Sequence, residues 1–146
     1  MVETVQCKPI EVHVGERGLE RAVKHLKRKM ATEGILRELK RRGLIRCHGM
    51  SSKTVEGGLR VVREMDVVMA TCNLDYNAEL PVLEAAAAQG KGVLIKKGLM
   101  SGHVTGQAGV RDSFAHVFSQ PGVSSMIVGT INPAHLRDNV RLLEQV

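Results

Sequence analysis

Tryptophan is absent from this chain of 146 residues, and its aromatics number three: Tyr76, Phe114 and Phe118. Single-stranded nucleic acid is usually held by stacking bases on aromatic side chains, so that mode of recognition is disfavoured. The three cysteines, Cys7, Cys47 and Cys72, are odd in number and far apart. They make neither a disulfide framework nor a CxxC zinc motif, and they fit a reducing, cytoplasmic setting. No apolar run approaches the roughly 18 residues of a membrane span. The first residues lack the basic-then-apolar pattern of a secretory leader. Neither GxGxxG nor GxxxxGK[ST] occurs, so the Rossmann and P-loop fingerprints do not apply. No histidine pair has ligand spacing with a carboxylate nearby, and no metal site is expected.

The composition is that of a globular protein, with 43% hydrophobic and 25% charged residues. Its length suits a single α/β domain over 1–146 with a core of its own. The net charge of +6 is unevenly placed: residues 1–46 hold twelve Lys/Arg against six Asp/Glu, and residues 47–146 hold nine of each. Such a basic run can touch nucleic acid or an acidic partner. A solvated helix face is the simpler reading, because no helix-turn-helix or zinc pattern accompanies it.

Along the chain, strand and helix signals alternate. Residues 10–14 alternate weakly, as a short strand. Leu19, Ala22, Val23, Leu26 and Met30 form one helical stripe. A second helix follows a break near Gly34, ending in Lys40, Arg41 and Arg42, which suit the helix C-terminus, and in Gly43. Strands are expected at 44–49, 66–71, 92–96 and 124–129. The helices after them begin near Thr54, Pro81, Val110 and Asn132-Pro133, the last a strong start signal. Leu136, Val140 and Leu143 are expected on the buried side of the final helix. Such a series implies right-handed parallel βαβ units, either a doubly wound sheet or four to five units of a (β/α)8 barrel. A complete barrel needs about 250 residues. The sheet would therefore be open, with residues 93–95 and 126–128 facing an incomplete interior, and a homodimer through its exposed edges would cover them.

In parallel α/β folds, ligands sit beyond the C-terminal strand ends. Ser51 and Ser52 follow one strand, and Cys72, Asn73, Asp75 and Tyr76 the next. The Gly98–Gly102 loop follows the third. Gly129, Thr130, Ile131 and Asn132 follow the fourth and lead into a helix N-terminus. A glycine loop and a helix N-terminus after consecutive strands suit a phosphate group, with Lys96 and Lys97 adding charge. His13, His25, His48, His103 and His116 are scattered, and His48 reads as structural. Cys72 lacks a neighbouring base in sequence and reads as an inert thiol.

Several segments are familiar in order and spacing. The run from Gly34 through Lys40 to Gly43-Leu44-Ile45-Arg46-Cys47-His48-Gly49-Met50-Ser51 resembles the aldo/keto reductase signature LxxLKxxGxIRxxGxS. Asp66-Val67-Val68-Met69 with Asn73 resembles that family's next strand. Gly90–Leu99 with Ser101-Gly102 resembles the seventh strand and its loop. Pro121–Thr130, then Asn132-Pro133-Ala134-His135-Leu136-Arg137-Asp138-Asn139, resembles the last strand and helix. The resemblance spans about residues 33–146, the cofactor-binding half of the barrel, and residues 1–32 match weakly.

The resemblance implies a TIM-type barrel and an oxidoreductase that reduces aldehydes and ketones with NADP. The family's catalytic Asp, Tyr and Lys come from the half that is not matched, so the sequence is truncated relative to the family and lacks most of the catalytic set. The fourth catalytic group, a histidine, is matched by His13. Ser51 matches the serine on the nicotinamide carboxamide, and Ser52 stands where many members have asparagine. Leu99, Ser101 and Gly102 match the pyrophosphate loop. Gly129, Thr130 and Asn132 match the loop around the 2′-phosphate, with His135 where many members have arginine. Asn139 matches the adenine contact, and Asp138 replaces the glutamate beside it. Met69 and Lys96 depart from the usual glutamine and stacking aromatic. The implied partners are a nicotinamide dinucleotide and a carbonyl substrate, with no membrane. The alternative is a non-catalytic nucleotide- or phosphate-binding half-barrel or an inactive fragment.

Overall fold

The structure, a computed structural model, describes residues 12–15, 18–32, 34–104 and 106–146. They fall into two compact units, Met1–Arg46 and Cys47–Val146.

The first unit is helical. Helix α1 spans Gly18–Thr32 and α2 spans Ile35–Arg41. Between them Gly34 takes the left-handed conformation, φ 68°. After α2, Gly43 (φ 71°) reverses the chain. The amides of Gly43 and Leu44 then donate to the carbonyls of Lys40 and Leu39, at 2.9 and 3.0 Å, satisfying the orphaned end of the helix. Glu38 is clasped by Arg41 and Arg42, at 2.7 and 2.6 Å. The apolar stripe of α1 is only shallowly covered, with Leu19 66% exposed. Of the weak strand expected at 10–14, residues 12–14 are irregular and residues 10 and 11 lie outside the described residues.

The second unit holds four strands, each followed by a helix. These are β1 (Gly49–Ser51), α3 (Val55–Glu64), β2 (Val67–Thr71), α4 (Leu80–Ala88), β3 (Gly92–Lys96), α5 (Gly106–Phe118), β4 (Val123–Met126) and α6 (Pro133–Leu143). All pairings are parallel, and the spatial order is β1-β2-β3-β4. A doubly wound sheet reverses its strand order at a switch point. Here every crossover advances by one strand in the same direction, as in a (β/α)8 barrel. The α/β, partial-barrel reading is therefore the one that stands, with four βα units among the described residues.

Local chemistry sets the boundaries. Thr54 caps α3 by accepting from the Gly57 amide at 3.1 Å, and Asn132 caps α6 by accepting from Ala134 at 2.9 Å. The strand expected from Leu44 begins only at Gly49. Its lead-in is held by a side chain instead: the His48 amide donates to the Asp66 carboxylate at 3.1 Å. The fourth strand ends at Met126, three residues short of the expected Gly129.

The core lies between sheet and helices. Val68, Ala70, Val93 and Ile95 are fully buried from the strands and Cys72 just beyond β2, with Val82, Leu83 and Ala86 from α4 and Val117 from α5. Each fully buried aliphatic side chain stabilises by about 1.5–3 kcal/mol. Two expectations fail here. Val93 and Ile95 face the helices, not an open interior, because side chains alternate along a strand; Leu94, paired with Met69, takes the other face. In α6 no residue is buried, and Leu136, Val140 and Leu143 are 54%, 50% and 41% exposed. The helix turns Asp138, Asn139 and Leu142 inward instead.

Candidate functional site

Parallel register brings the strand ends together. Ser51 stands opposite Met69, Met69 opposite Leu94, and Leu94 opposite Ser125. The loops leaving these ends form a polar rim, as the barrel rule requires.

At the β3–β4 side a cleft of about 400 Å³ opens between the loop after β3 and α6. Leu99, Gly102, Gly129, Thr130, His135, Asp138 and Asn139 all line it. Seven sequence-predicted residues from three separate segments thus share one cavity. Ser101 instead lines a neighbouring cavity of about 410 Å³ with Asn73, Lys97 and His103. Asn132 serves the cleft indirectly, by capping α6. Its own amide donates to Thr130 Oγ1 at 3.1 Å, which fixes the turn into the helix. The amino-terminal end of α6, with its partial positive charge, then stands beside His135, whose imidazole lines the cleft.

The loop itself is strained. Lys97, Met100 and Ser101 are non-glycine residues with φ of 59°, 51° and 59°, a conformation rare outside glycine. It is not the open anion nest that the glycines suggest. The amides of Met100, Gly102 and His103 donate within the loop, to Lys97, Leu99 and Met100 carbonyls at 2.9, 2.9 and 3.3 Å.

At the β1–β2 side a polar network lies under the rim. Lys96 Nζ donates to Ser51 Oγ at 2.7 Å and also to the Ser52 carbonyl. Ser52 is buried, and its hydroxyl donates to Glu79 Oε2 at 2.6 Å. The single hydroxyl proton of Ser52 is therefore committed inside the fold, and Ser51 carries the more exposed hydroxyl. Asn73 is a hub: its Nδ2 donates to the Lys97 carbonyl at 3.1 Å, and its Oδ1 accepts from the amides of Asp75 and Tyr76 at 3.0 and 2.9 Å. Glu79 had a faint sequence signal, its place just before Leu80-Pro81 at a helix start. Nothing in the sequence pairs it with Ser52.

The histidines divide. His48 is buried with Nδ1 3.1 Å from Asp66 Oδ2, a structural contact. His13 lies in the first unit, where it lines a cavity of about 550 Å³ with Arg21, Lys24, His25 and Arg28. His116 Nε2 is 2.9 Å from Asn77 Oδ1 and 3.8 Å from Cys72 Sγ. This grouping superficially suggests a nucleophile with its base. One ring nitrogen faces both neighbours, however, whereas a relay needs one nitrogen for each. Cys72 is fully buried, and burial pushes its thiol pKa up, opposite to an activated nucleophile. Among the described residues no three His, Cys, Asp or Glu side chains cluster to hold a metal ion, and no helix is long and apolar enough to cross a membrane.

Comparison with known proteins gives a short match near the amino-terminal end and a much longer one that covers most of the chain. A family model described as ribosomal protein S21 matches residues 11–43. Among solved structures, one titled "Putative aldo-keto reductase from Pseudomona aeruginosa" is 45% identical with a TM-score of 0.70, over 88% of this chain and 57% of its own. A crystal structure described in the same terms, from the same organism, gives the same identity and score over 56% of its own length. This chain thus spans little more than half the length of the structures it matches. Curated proteins gave no match.

Proposed function

This chain belongs to the aldo/keto reductase family, with 45% identity over 88% of its length, and we propose that its Cys47–Val146 unit binds the phosphate-bearing end of a nicotinamide dinucleotide. The observation that carries this reading is the cleft shared by Leu99, Gly102, Gly129, Thr130, His135, Asp138 and Asn139. Asn139 would meet the adenine, and the end of α6 with His135 would meet the 2′-phosphate of NADP. Leu99 and Gly102 would bound the pyrophosphate. At the other end of the rim Ser51 would meet the carboxamide, held in place by Lys96. A bound nicotinamide supplies the hydride for reduction of an aldehyde or ketone; this chain binds and orients. Its sole tyrosine, Tyr76, follows β2, a different segment from the acid that protonates the alkoxide in intact members. Support for the phosphate end is the shared cleft beside the start of α6. At the nicotinamide end Lys96 and Met69 replace the expected aromatic and glutamine, so binding without turnover is the reading for the chain alone. Fluorescence titration with NADPH beside an NADPH-oxidation assay over an aldehyde panel tests it: saturable binding is expected, and no binding overturns the proposal.

The first unit supports a second, separate reading. It carries all of the chain's net charge, and residues 11–43 match a ribosomal protein family. We infer that this unit contacts RNA through backbone phosphates, with Arg21, Lys24 and Arg28 on one side of α1. Phosphate-dominated binding weakens steeply with salt, so RNA binding to residues 1–46 that ignores salt would overturn it.

A further inference from the structure

A further cavity, of about 540 Å³, opens on the β1–β3 side of the rim, and Lys53, Lys96 and Lys97 all line it, with Thr71, Asn73, Tyr76 and Glu79. Three lysines in one lining give the cavity an excess of positive charge, which an entering anion would offset. One acidic residue, Glu79, stands in the same lining against the three lysines and offsets them only in part. Glu79 is 2% exposed, and its Oε2 accepts from Ser52 at 2.6 Å. Among the described residues no carboxylate is paired with Lys53, Lys96 or Lys97.

Lys96 is held by its side chain and Lys97 by its backbone. Lys96 Nζ is fixed by Ser51 Oγ at 2.7 Å and by the Ser52 carbonyl, which leaves one of its three N–H donors for the cavity. Lys97 has φ 59°, a backbone state that persists only where the surroundings impose it. Asn73 imposes it: its Nδ2 donates to the Lys97 carbonyl at 3.1 Å, while Met100 donates to the same oxygen at 2.9 Å. The same Asn73, through Oδ1, holds the Tyr76 amide at 2.9 Å. Tyr76 is 40% exposed, and its hydroxyl and that of Thr71 add neutral donors to the cationic wall.

We propose that this cavity binds a small phosphate monoester, at a site separate from the cleft beside α6. The proposal does not depend on binding in the α6 cleft, since the two cavities share no lining residue; Lys96 alone links it to Ser51 at the nicotinamide end. A compact dianion meets three cations and two hydroxyls here, whereas an uncharged polyol of the same size gains only the hydroxyl contacts.

The test is isothermal titration of the full chain with glycerol 3-phosphate and, separately, with glycerol, at low ionic strength. Saturable binding of the phosphate and none of glycerol is expected. Lys53→Ala and Lys97→Gly should each weaken it at least tenfold; glycine keeps the left-handed backbone while removing the charge, and a matching thermal melt confirms the fold. Adenosine 2′,5′-bisphosphate, a probe of the α6 cleft, should leave the affinity unchanged. Failure to bind glycerol 3-phosphate overturns the proposal. So does binding that survives both lysine substitutions, which assigns the anion to the basic first unit, and so does displacement by the bisphosphate, which assigns it to the α6 cleft. Loss of bisphosphate binding alone overturns the dinucleotide reading and leaves this one standing.

Discussion

Ser52 Oγ donates to the carboxylate of Glu79 at 2.6 Å, and both residues are buried, at 4% and 2% exposure. One opens the β1–α3 connection and the other stands at the N-cap position of α4, so the contact ties two βα units together beneath the rim. Removing the hydroxyl leaves a buried carboxylate oxygen short of a donor, which costs about 1–3 kcal/mol. Ser52→Ala is expected to lower stability by that amount in urea unfolding, with the slope unchanged. An unchanged midpoint would show that the pair contributes nothing.

Gly58 gives a steric test of the same layer. A Cβ on Gly58 would lie 2.6 and 2.8 Å from the two methyls of Val82, so α3 and α4 approach only because no side chain intervenes. Overpacking a core typically costs about 1–3 kcal/mol. Gly58→Ala should destabilise by that order despite alanine's better helix propensity, and Gly58→Ala with Val82→Ala should recover part of the loss. Thermal melts of the single and double variants decide it.

The two described cysteines should differ sharply in reactivity. Cys47 is exposed and Cys72 fully buried, with its thiol pKa raised by burial. At neutral pH in native buffer a maleimide should modify Cys47 and spare Cys72 until denaturant is added. Peptide-level mass spectrometry reads both sites. Native labelling of Cys72 would overturn the placement of its thiol in the core.

In the first unit, hydrogen bonds from Arg41 and then Arg42 hold the Glu38 carboxyl down, from 4.5 to about 2. A carboxylate depressed in the folded state stabilises it fully above the unfolded value, and the contribution is lost as pH falls through the folded one. The α2 contribution should therefore be present above pH 4.5 and fade towards pH 2. Because the pair is exposed, the effect is small and should shrink with salt. Carboxyl NMR titration of Glu38 should give a midpoint near 2, and one in the ordinary range would refute the clasp.

What the sequence made legible follows from what is local. Thr54, Asn132-Pro133, Gly34 and Gly43 act through neighbours a few residues away, so the helix limits near them could be read directly. The buried run at 67–71 and that at 92–96 were equally plain. The Leu44 strand was overextended because the Asp66 carboxylate, eighteen residues on, takes the His48 amide out of the ladder. Only the family resemblance joins the cleft residues, since no periodicity brings Leu99 to Asn139. Glu79 with Ser52 and His116 with Asn77 went unseen, because separations of 27 and 39 residues leave no local trace.

The exposed face of α6 has a consequence for assembly. Leu136, Val140 and Leu143 lie on one side of the helix at 54%, 50% and 41% exposure, and Ile127 beyond β4 is 48% exposed. β1 and β4 are the two edges of the sheet within the Cys47–Val146 unit, and an edge strand is a template for a further strand. In a parallel pairing, the β4 edge of one copy matches the β1 edge of another. A two-fold arrangement makes both junctions at once, and its eight strands equal the number in a closed barrel. Burying the α6 side chains would contribute about 25 cal/mol for each Å² of apolar surface removed from water. Sedimentation at micromolar concentration should therefore find a dimer. Val140→Glu on the exposed face should dissociate it without melting the monomer. A wild-type chain that sediments as a compact monomer, melts cooperatively and binds no hydrophobic dye would show that the open sheet needs no second copy.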